Sequence, residues 1–417
     1  MKISIQVLGS LGDVMPYVST ALELQAQGAE VSILAPRDFT SLIRSHGIIA
    51  PPAAQFSLQA WMDEAERRGT LNNPISFFRD WRCMIQPHIN DVMAKCLEAG
   101  ERADLIVANL ICAPARIAAE AHNVPFMLTS QQPVLSPTKD QPCAMMWRPW
   151  HGDRFNRAGY RMISLANRVI GHSLKQHRKQ LGLPARPQFS DIRTHLGQPL
   201  PKVSSIPWPV MRERPRDWGR QDYLTAYPSL PISAANEMSS GLMDFLASGS
   251  RPVYVGLGSL GSSHGRTLLD AAIAGLQQVG LRGLISKSMA GTQTKLPDQF
   301  RFIDHEPHDQ VFQHCTAVMH HGGAGTSDTA LRAGVPQILQ PHFLDQFWFA
   351  AQLKKLGLAP DTLPMRNLTH QDVADAVTFT QTHKCKERVK IVRQGALARS
   401  GTKELSKLIL SQLITVS

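Results

Sequence analysis

A chain of 417 residues is longer than one hydrophobic core usually grows, so two domains of about 200 residues each are expected. With 43% hydrophobic and 18% charged residues the composition is globular, and no uninterrupted apolar run approaches the ~20 residues of a membrane span, which excludes an integral membrane protein. The formal charge of +11 leaves nucleic acid, an anionic membrane surface and anionic substrates as partner classes; no nucleic-acid-binding signature accompanies it.

The amino terminus passes from Lys2 straight into a strand-like run ending at Leu8, without a signal-peptide pattern, and a cytoplasmic location is expected. Gly9-Ser10-Leu11-Gly12-Asp13 reads as a turn into a helix whose apolar stripe is Val14, Tyr17, Val18, Ala21 and Leu22, ended by Gly28. Val31 to Ala35 is the next strand, and this β-α-β order predicts a parallel sheet. Leu105–Asn109 and Pro125–Thr129 are further strands around a helix at Ala113–Ala121, so the first half is doubly wound. Pro51–Gly100 and Trp147–Leu183 read as insertions that shape a pocket.

Between Met145 and Arg186, Arg148, Arg154, Arg157, Arg161, Arg168, Lys175, Arg178, Lys179 and Arg186 face a single acid, Asp153, and are interleaved with Trp147, Trp150, Phe155, Tyr160 and Leu165. Basic plus aromatic at helical spacing predicts peripheral contact with an anionic membrane surface, against the alternative of a solvated helix face. The six cysteines lack C-x-x-C spacing, which predicts free buried thiols and no structural metal.

From Pro207 to Ser240 the periodicity weakens into prolines and small residues, a linker. Alternation resumes with strands at Arg251–Val255, Gly283–Ile285, Phe302–Ile303 and Ala317–Met319, giving a second doubly wound domain. Gly256-Leu257-Gly258-Ser259-Leu260-Gly261 matches G-x-G-x-x-G after a strand, the signature of a nicotinamide-dinucleotide oxidoreductase. The acid expected about 20 positions on is absent, since Ser286-Lys287-Ser288 stands there.

The most informative stretch is Val318 to Pro336. A buried strand runs into His320-His321-Gly322-Gly323-Ala324-Gly325-Thr326, then into a helix stopped by Gly334. Gly322, Gly323 and Gly325 allow close backbone approach, and Thr326 and Ser327 bring hydroxyls to a helix N-terminus, so the turn is a phosphate cradle. The two histidines add donors and, when protonated, positive charge.

This string, with Arg332-Ala333-Gly334-Val335-Pro336-Gln337 and Asp345-Gln346, resembles the donor signature of GT-B nucleotide-sugar glycosyltransferases of the sterol glucosyltransferase, antibiotic glycosyltransferase and rhamnosyltransferase group. The resemblance implies an α/β fold of two doubly wound Rossmann-like domains facing a central cleft: residues 1–220 binding acceptor, 221–245 a linker, 246–395 binding nucleotide sugar, and 396–417 a last helix crossing back onto the first domain. It implies that Gly258 and Ser259 face the donor diphosphate together with His320, His321, Gly322, Gly323, Gly325 and Thr326. His305 and Pro307 then belong to the nucleobase loop, and Asp345 and Gln346 receive the sugar hydroxyls. Asp328 is a further ribose candidate.

Gly9 to Asp13 resembles the acceptor-side turn, with Ser10 and Gly12 beside the donor and Asp13 as general base. A helix cap is the structural alternative for Asp13, Asp309 and Asp345 alike. The expected activity is inverting transfer of a hexose, glucose first, from a UDP- or dTDP-sugar to a hydroxyl of a hydrophobic or lipid acceptor. No cofactor is implied beyond the donor, and no metal, because an Asp-x-Asp pair is lacking. An oxidoreductase and a nucleotide-sugar binder without catalysis remain the alternatives.

Overall fold

The computed structural model describes residues 1–55, 57, 60, 64, 86–146, 148, 155–184, 200–230, 238–257, 265–290, 295–304, 306–342 and 344–414. They form two units, Met1–Ile206 with Glu213–Leu230 and Ser400–Ser417, and Pro207–Arg212 with Pro231–Arg399.

The first unit holds a parallel sheet in the order β2-β1-β3-β4-β5-β6. Its strands are β1 (Lys2–Gln6), β2 (Glu30–Leu34), β3 (Leu105–Asn109), β4 (Phe126–Ser130), β5 (Lys202–Ile206) and β6 (Asp222–Ala226). Every residue of β3 and β4 is buried, as central strands covered on both faces require, which is why they read as continuous apolar runs. Helix α1 (Leu11–Ala26) follows β1, α2 (Thr40–Ser45) follows β2, α3 (Ile89–Gly100) precedes β3 and α4 (Ala113–His122) follows it. From β1 the chain winds outward to β2 and then returns to β3 on the other side, so the carboxyl ends of β1 and β3 flank a topological switch point, the usual place for a ligand crevice in an open α/β sheet.

The stretch that composition marks as a linker contains β6. This edge strand is held by polar anchors that periodicity cannot reveal: Ser136 Oγ donates to Asp222 Oδ1 at 2.7 Å, and Lys202 Nζ lies 2.6 Å from the same oxygen.

The basic segment forms the 25-residue helix α5 (Asn156–Gln180). Two members of its basic-aromatic stripe face inward instead of outward. Tyr160 is buried, its hydroxyl donating to the Pro133 carbonyl at 3.2 Å, and Arg178 is buried against Glu120 Oε2 at 2.6 Å. Arg157, Arg161, Lys175 and Lys179 are exposed. Trp147, Trp150, Asp153, Arg154 and Arg186 lie outside the described residues, as do the side chains of Leu165 and Arg168. Among the described residues no helix is long and apolar enough to cross a membrane.

The second unit holds a parallel sheet in the order β11-β10-β7-β8-β9: β7 (Val253–Val255), β8 (Gly283–Ser286), β9 (Phe300–Ile303), β10 (Ala317–His320) and β11 (Gln337–Leu339). Helix α6 (Ser240–Ala247) precedes β7, α7 (Gly265–Gln278) joins β7 to β8, α8 (His308–Val311) follows β9, α9 (Ala324–Ala333) joins β10 to β11, and α10 (Gln346–Lys355) follows β11. Here the winding reverses between β7 and β10, which places a second switch point at their carboxyl ends. Helices α11 (His370–Gln381) and α12 (His383–Leu397) complete this unit.

The last helix, α13 (Gly401–Ile414), belongs to the first unit, where Leu405 and Ile409 join the core formed by Tyr17, Val18 and Ala21. Ser19 Oγ and Thr402 Oγ1 lie 2.6 Å apart, and Glu404 Oε2 accepts from the Ala226 N–H at 2.9 Å.

Candidate active site

At the first switch point the chain leaves β1 through Gly9, whose φ of 143° lies outside the range ordinary side chains adopt. Helix α1 starts at Leu11, earlier than the Val14 start read from its stripe, because Ser10 rather than Asp13 is the N-cap. Asp13 is the third helical residue and completes a capping box. The Ser10 N–H and Oγ–H both donate to Asp13 Oδ2, at 2.8 and 3.0 Å. No interaction among the described residues falls on Oδ1.

The carboxyl of Asp13 is turned against Gly9, where a Cβ would sit 2.5 Å from Oδ2. Desolvation raises its pKa above the usual 3.8, outweighing the two hydrogen bonds from Ser10. Below it, Tyr17 donates to Thr129 Oγ1 at 2.5 Å, because Thr129 spends its own proton on the Ala108 carbonyl at 3.1 Å. Gly12 is exposed, and its carbonyl accepts from Tyr227 Oη at 3.4 Å.

Sequence reasoning missed Asn109, the last residue of β3. Its Nδ2 donates to the Leu8 carbonyl at 2.5 Å and its Oδ1 accepts from the Leu8 N–H at 3.3 Å and the Cys112 N–H at 3.1 Å. The signal was a polar residue closing the apolar run Leu105 to Ala108.

At the second switch point β10 ends in His320, fully buried. Its Nδ1 lies 3.1 Å from the Gly322 N–H and accepts from it, so the ring proton sits on Nε2 and is donated to Gln337 Oε1 at 2.8 Å. Gln337 Nε2 in turn donates to the Ser327 carbonyl at 3.3 Å. His320 thus spends both nitrogens on bracing the turn to β11 and α9, and gives no donor to a ligand. Burial pushes its pKa down to about 4, so the positive charge entertained from sequence is absent near neutral pH.

His321 is also neutral, with a pKa near 3 through burial and then the charge of His320. As a residue it is half-buried, but its Nδ1 is sealed from solvent with no hydrogen-bond partner. Its ring lies against Gly323, where a Cβ would fall 2.5 Å from Nε2.

Gly322 has φ 90° and passes close to α10, with a Cβ there 3.2 Å from the Gln346 carbonyl. Helix α9 begins with Gly323 as N-cap, and the first intrahelical bond returns from Ser327 N to Gly323 O at 3.0 Å. The N–H groups of Ala324, Gly325 and Thr326 therefore have no helical acceptor. Ser327 Oγ is buried without a partner.

The structure therefore brings His320, His321, Gly322, Gly323, Gly325 and Thr326 together with the N-terminus of α10. There Asp345 is the N-cap and Gln346 the first residue, its Oε1 accepting from the His342 N–H at 2.7 Å. The preceding Leu344 holds φ at 49°, a strained conformation for a branched side chain.

Asp328 points away from a ribose role, since it is buried in an ion pair with Arg332 at 2.7 Å. Pro307 is the N-cap of α8, so Asp309 lies inside that helix instead of capping it. Gly258, Ser259 and His305 lie outside the described residues.

Known proteins match in both units. The family profile of the glycosyltransferase family 28 N-terminal domain matches residues 3–135, and that of the erythromycin biosynthesis protein CIII-like C-terminal domain matches residues 284–411. The chain belongs to the GT-B glycosyltransferases. A sterol 3-beta-glucosyltransferase of Arabidopsis thaliana is 27% identical over 406 residues, covering 93% of this chain and 64% of the relative. A second from the same plant is 26% identical over 438 residues, covering 99% and 66%. The chain thus spans just under two thirds of the length of these two relatives. A crystal structure of the glycosyltransferase VinC in complex with dTDP shares the fold with a TM-score of 0.70, 18% identity and full coverage of both chains.

Proposed function

We propose that this GT-B chain is an inverting, metal-independent hexosyltransferase that moves glucose from UDP-glucose to a hydroxyl of a hydrophobic, sterol-like acceptor, with dTDP-sugars as the alternative donors. The observation that carries the reading is the turn at the second switch point. Three uncommitted N–H groups of α9 and the neutral His321 ring surround a position suited to a diphosphate. The leaving nucleoside diphosphate gains charge as the glycosidic bond breaks, so fixed donors there stabilise the transition state more than the ground state. Asp345 and Gln346 offer carboxylate and amide to the sugar hydroxyls.

Asp13 removes the acceptor proton. Its raised pKa makes it a stronger base than an exposed carboxylate, and Oδ1 is left for the substrate while Ser10 holds Oδ2. The acceptor oxygen attacks the anomeric carbon from the face opposite the diphosphate, turning an α-linked donor into a β-linked product. The two sterol glucosyltransferases support a sterol-like acceptor. Peripheral contact with an anionic membrane rests on the exposed Arg157, Arg161, Lys175 and Lys179.

The test is calorimetric titration with UDP, dTDP, UDP-glucose and NADPH in the presence of a chelator, followed by product analysis with UDP-glucose and cholesterol. Binding of a nucleoside diphosphate, and a β-glucoside product, are expected. Binding of NADPH alone would return Gly256 to Gly261 to the dinucleotide reading.

A further inference from the structure

Two thiols lie beside the first switch point. Cys96 on α3 and Cys112, the residue before α4, are both buried, and their sulfurs are 3.8 Å apart. A disulfide needs about 2.05 Å, so the two sulfurs must approach by roughly 1.8 Å to close the bond. Both cysteines line a cavity of about 20 Å³ shared with Val7, Leu8, Ala54 and Lys95. A single water needs about 10–15 Å³, so the cavity admits an oxidant little larger than water.

We propose that Cys96 and Cys112 are a peroxide-oxidisable dithiol whose closure alters the turn carrying Asp13. One sulfur attacks hydrogen peroxide, breaking its O–O bond to give a sulfenic acid and one water. The second sulfur then displaces the sulfenic oxygen as a further water, leaving the disulfide. Two thiols and one peroxide give one disulfide and two waters. The hydrogen bond with Cys112 and burial raise the Cys96 pKa well above its ordinary value, so its thiol holds its proton in the resting state.

The consequence runs through the backbone. The Cys112 N–H is bonded to Asn109 Oδ1, the same oxygen that accepts from Leu8, while Asn109 Nδ2 grips the Leu8 carbonyl. Leu8 precedes Gly9, whose Cα packs directly against the Asp13 carboxyl. Drawing Cys112 towards α3 loosens that clamp.

The experiment treats the folded full chain with hydrogen peroxide, blocks remaining thiols, and maps cross-linked peptides by mass spectrometry, with hydrogen–deuterium exchange on the same samples. Loss of two hydrogen masses in a Cys96–Cys112 cross-link is expected, reversed by dithiothreitol. Exchange across residues 7–13 should rise several-fold. Cys112→Ala and, separately, Cys96→Ala should abolish both changes. Persistence of both free thiols, or pairing with another cysteine, overturns the dithiol. A cross-link that forms without faster exchange at 7–13 overturns the coupling to Asp13.

Discussion

His320 donates its only ring proton to Gln337 Oε1 at 2.8 Å, from the end of β10 to the start of β11. Both side chains are fully buried, so neither end of the bond finds water if the other is removed. Gln337→Leu should therefore cost the second unit about 1–3 kcal/mol, the penalty of leaving a buried N–H unpaired, measured by urea unfolding. The same change frees the Gly322 turn and should weaken UDP binding. Unchanged stability would mean that the ring has a different tautomer or partner.

Gly323 has φ −66°, which any residue adopts, so alanine there meets no backbone strain. Its Cβ would instead lie 2.5 Å from His321 Nε2 and push the ring aside. Gly323→Ala should keep the melting temperature within a few degrees while lowering nucleoside diphosphate affinity at least tenfold in calorimetry. Full affinity would remove His321 from the donor site.

Such a contrast could not be read from the sequence. The string His320 to Thr326 marked the turn and its helix because glycines and a helix start leave a local signature. The division of labour between the two histidines is a tertiary matter: Gln337 stands seventeen residues on from His320 and decides that His320 braces while His321 faces the turn. Asn109 and β6 were hidden for the same reason, since their partners are Leu8 and Ser136, distant in sequence. Strands β1 to β4 and β7 to β10 were legible because they write themselves as apolar runs, whereas β5, β6 and β11 were not read.

The histidines also set an acid limit on stability. Both have folded-state pKa values, about 4 and about 3, below the ordinary 6.5. The folded state therefore binds fewer protons than the unfolded one between those values, and stability present above pH 6.5 is lost as pH falls towards 4. Unfolding midpoints measured from pH 7.5 to 4.5 should fall with pH, and His321→Asn should flatten the slope. A midpoint independent of pH over that range would contradict the buried neutral state.

Leu344 stores strain at φ 49° directly before Asp345. Leu344→Gly removes the steric cost, of order 1 kcal/mol, but adds backbone freedom to the unfolded chain and to the loop. The expected result is stability changed by less than about 1 kcal/mol, with KM for the sugar donor raised several-fold and UDP affinity unaltered, because only the sugar-facing end of the site is loosened. Equal losses for UDP and UDP-glucose would show that the loop supports the nucleotide as well.

Asp13→Asn separates binding from chemistry. Asparagine keeps the size of the side chain but cannot take the acceptor proton, so turnover should drop by about 10²–10⁴-fold while UDP-glucose affinity is preserved. In the wild type the rate should rise with pH through the raised Asp13 pKa, because the base works only when ionised and desolvation delays that ionisation above 3.8. A rate profile flat from pH 4 to 8, or near-normal turnover of Asp13→Asn, would assign proton removal to another group.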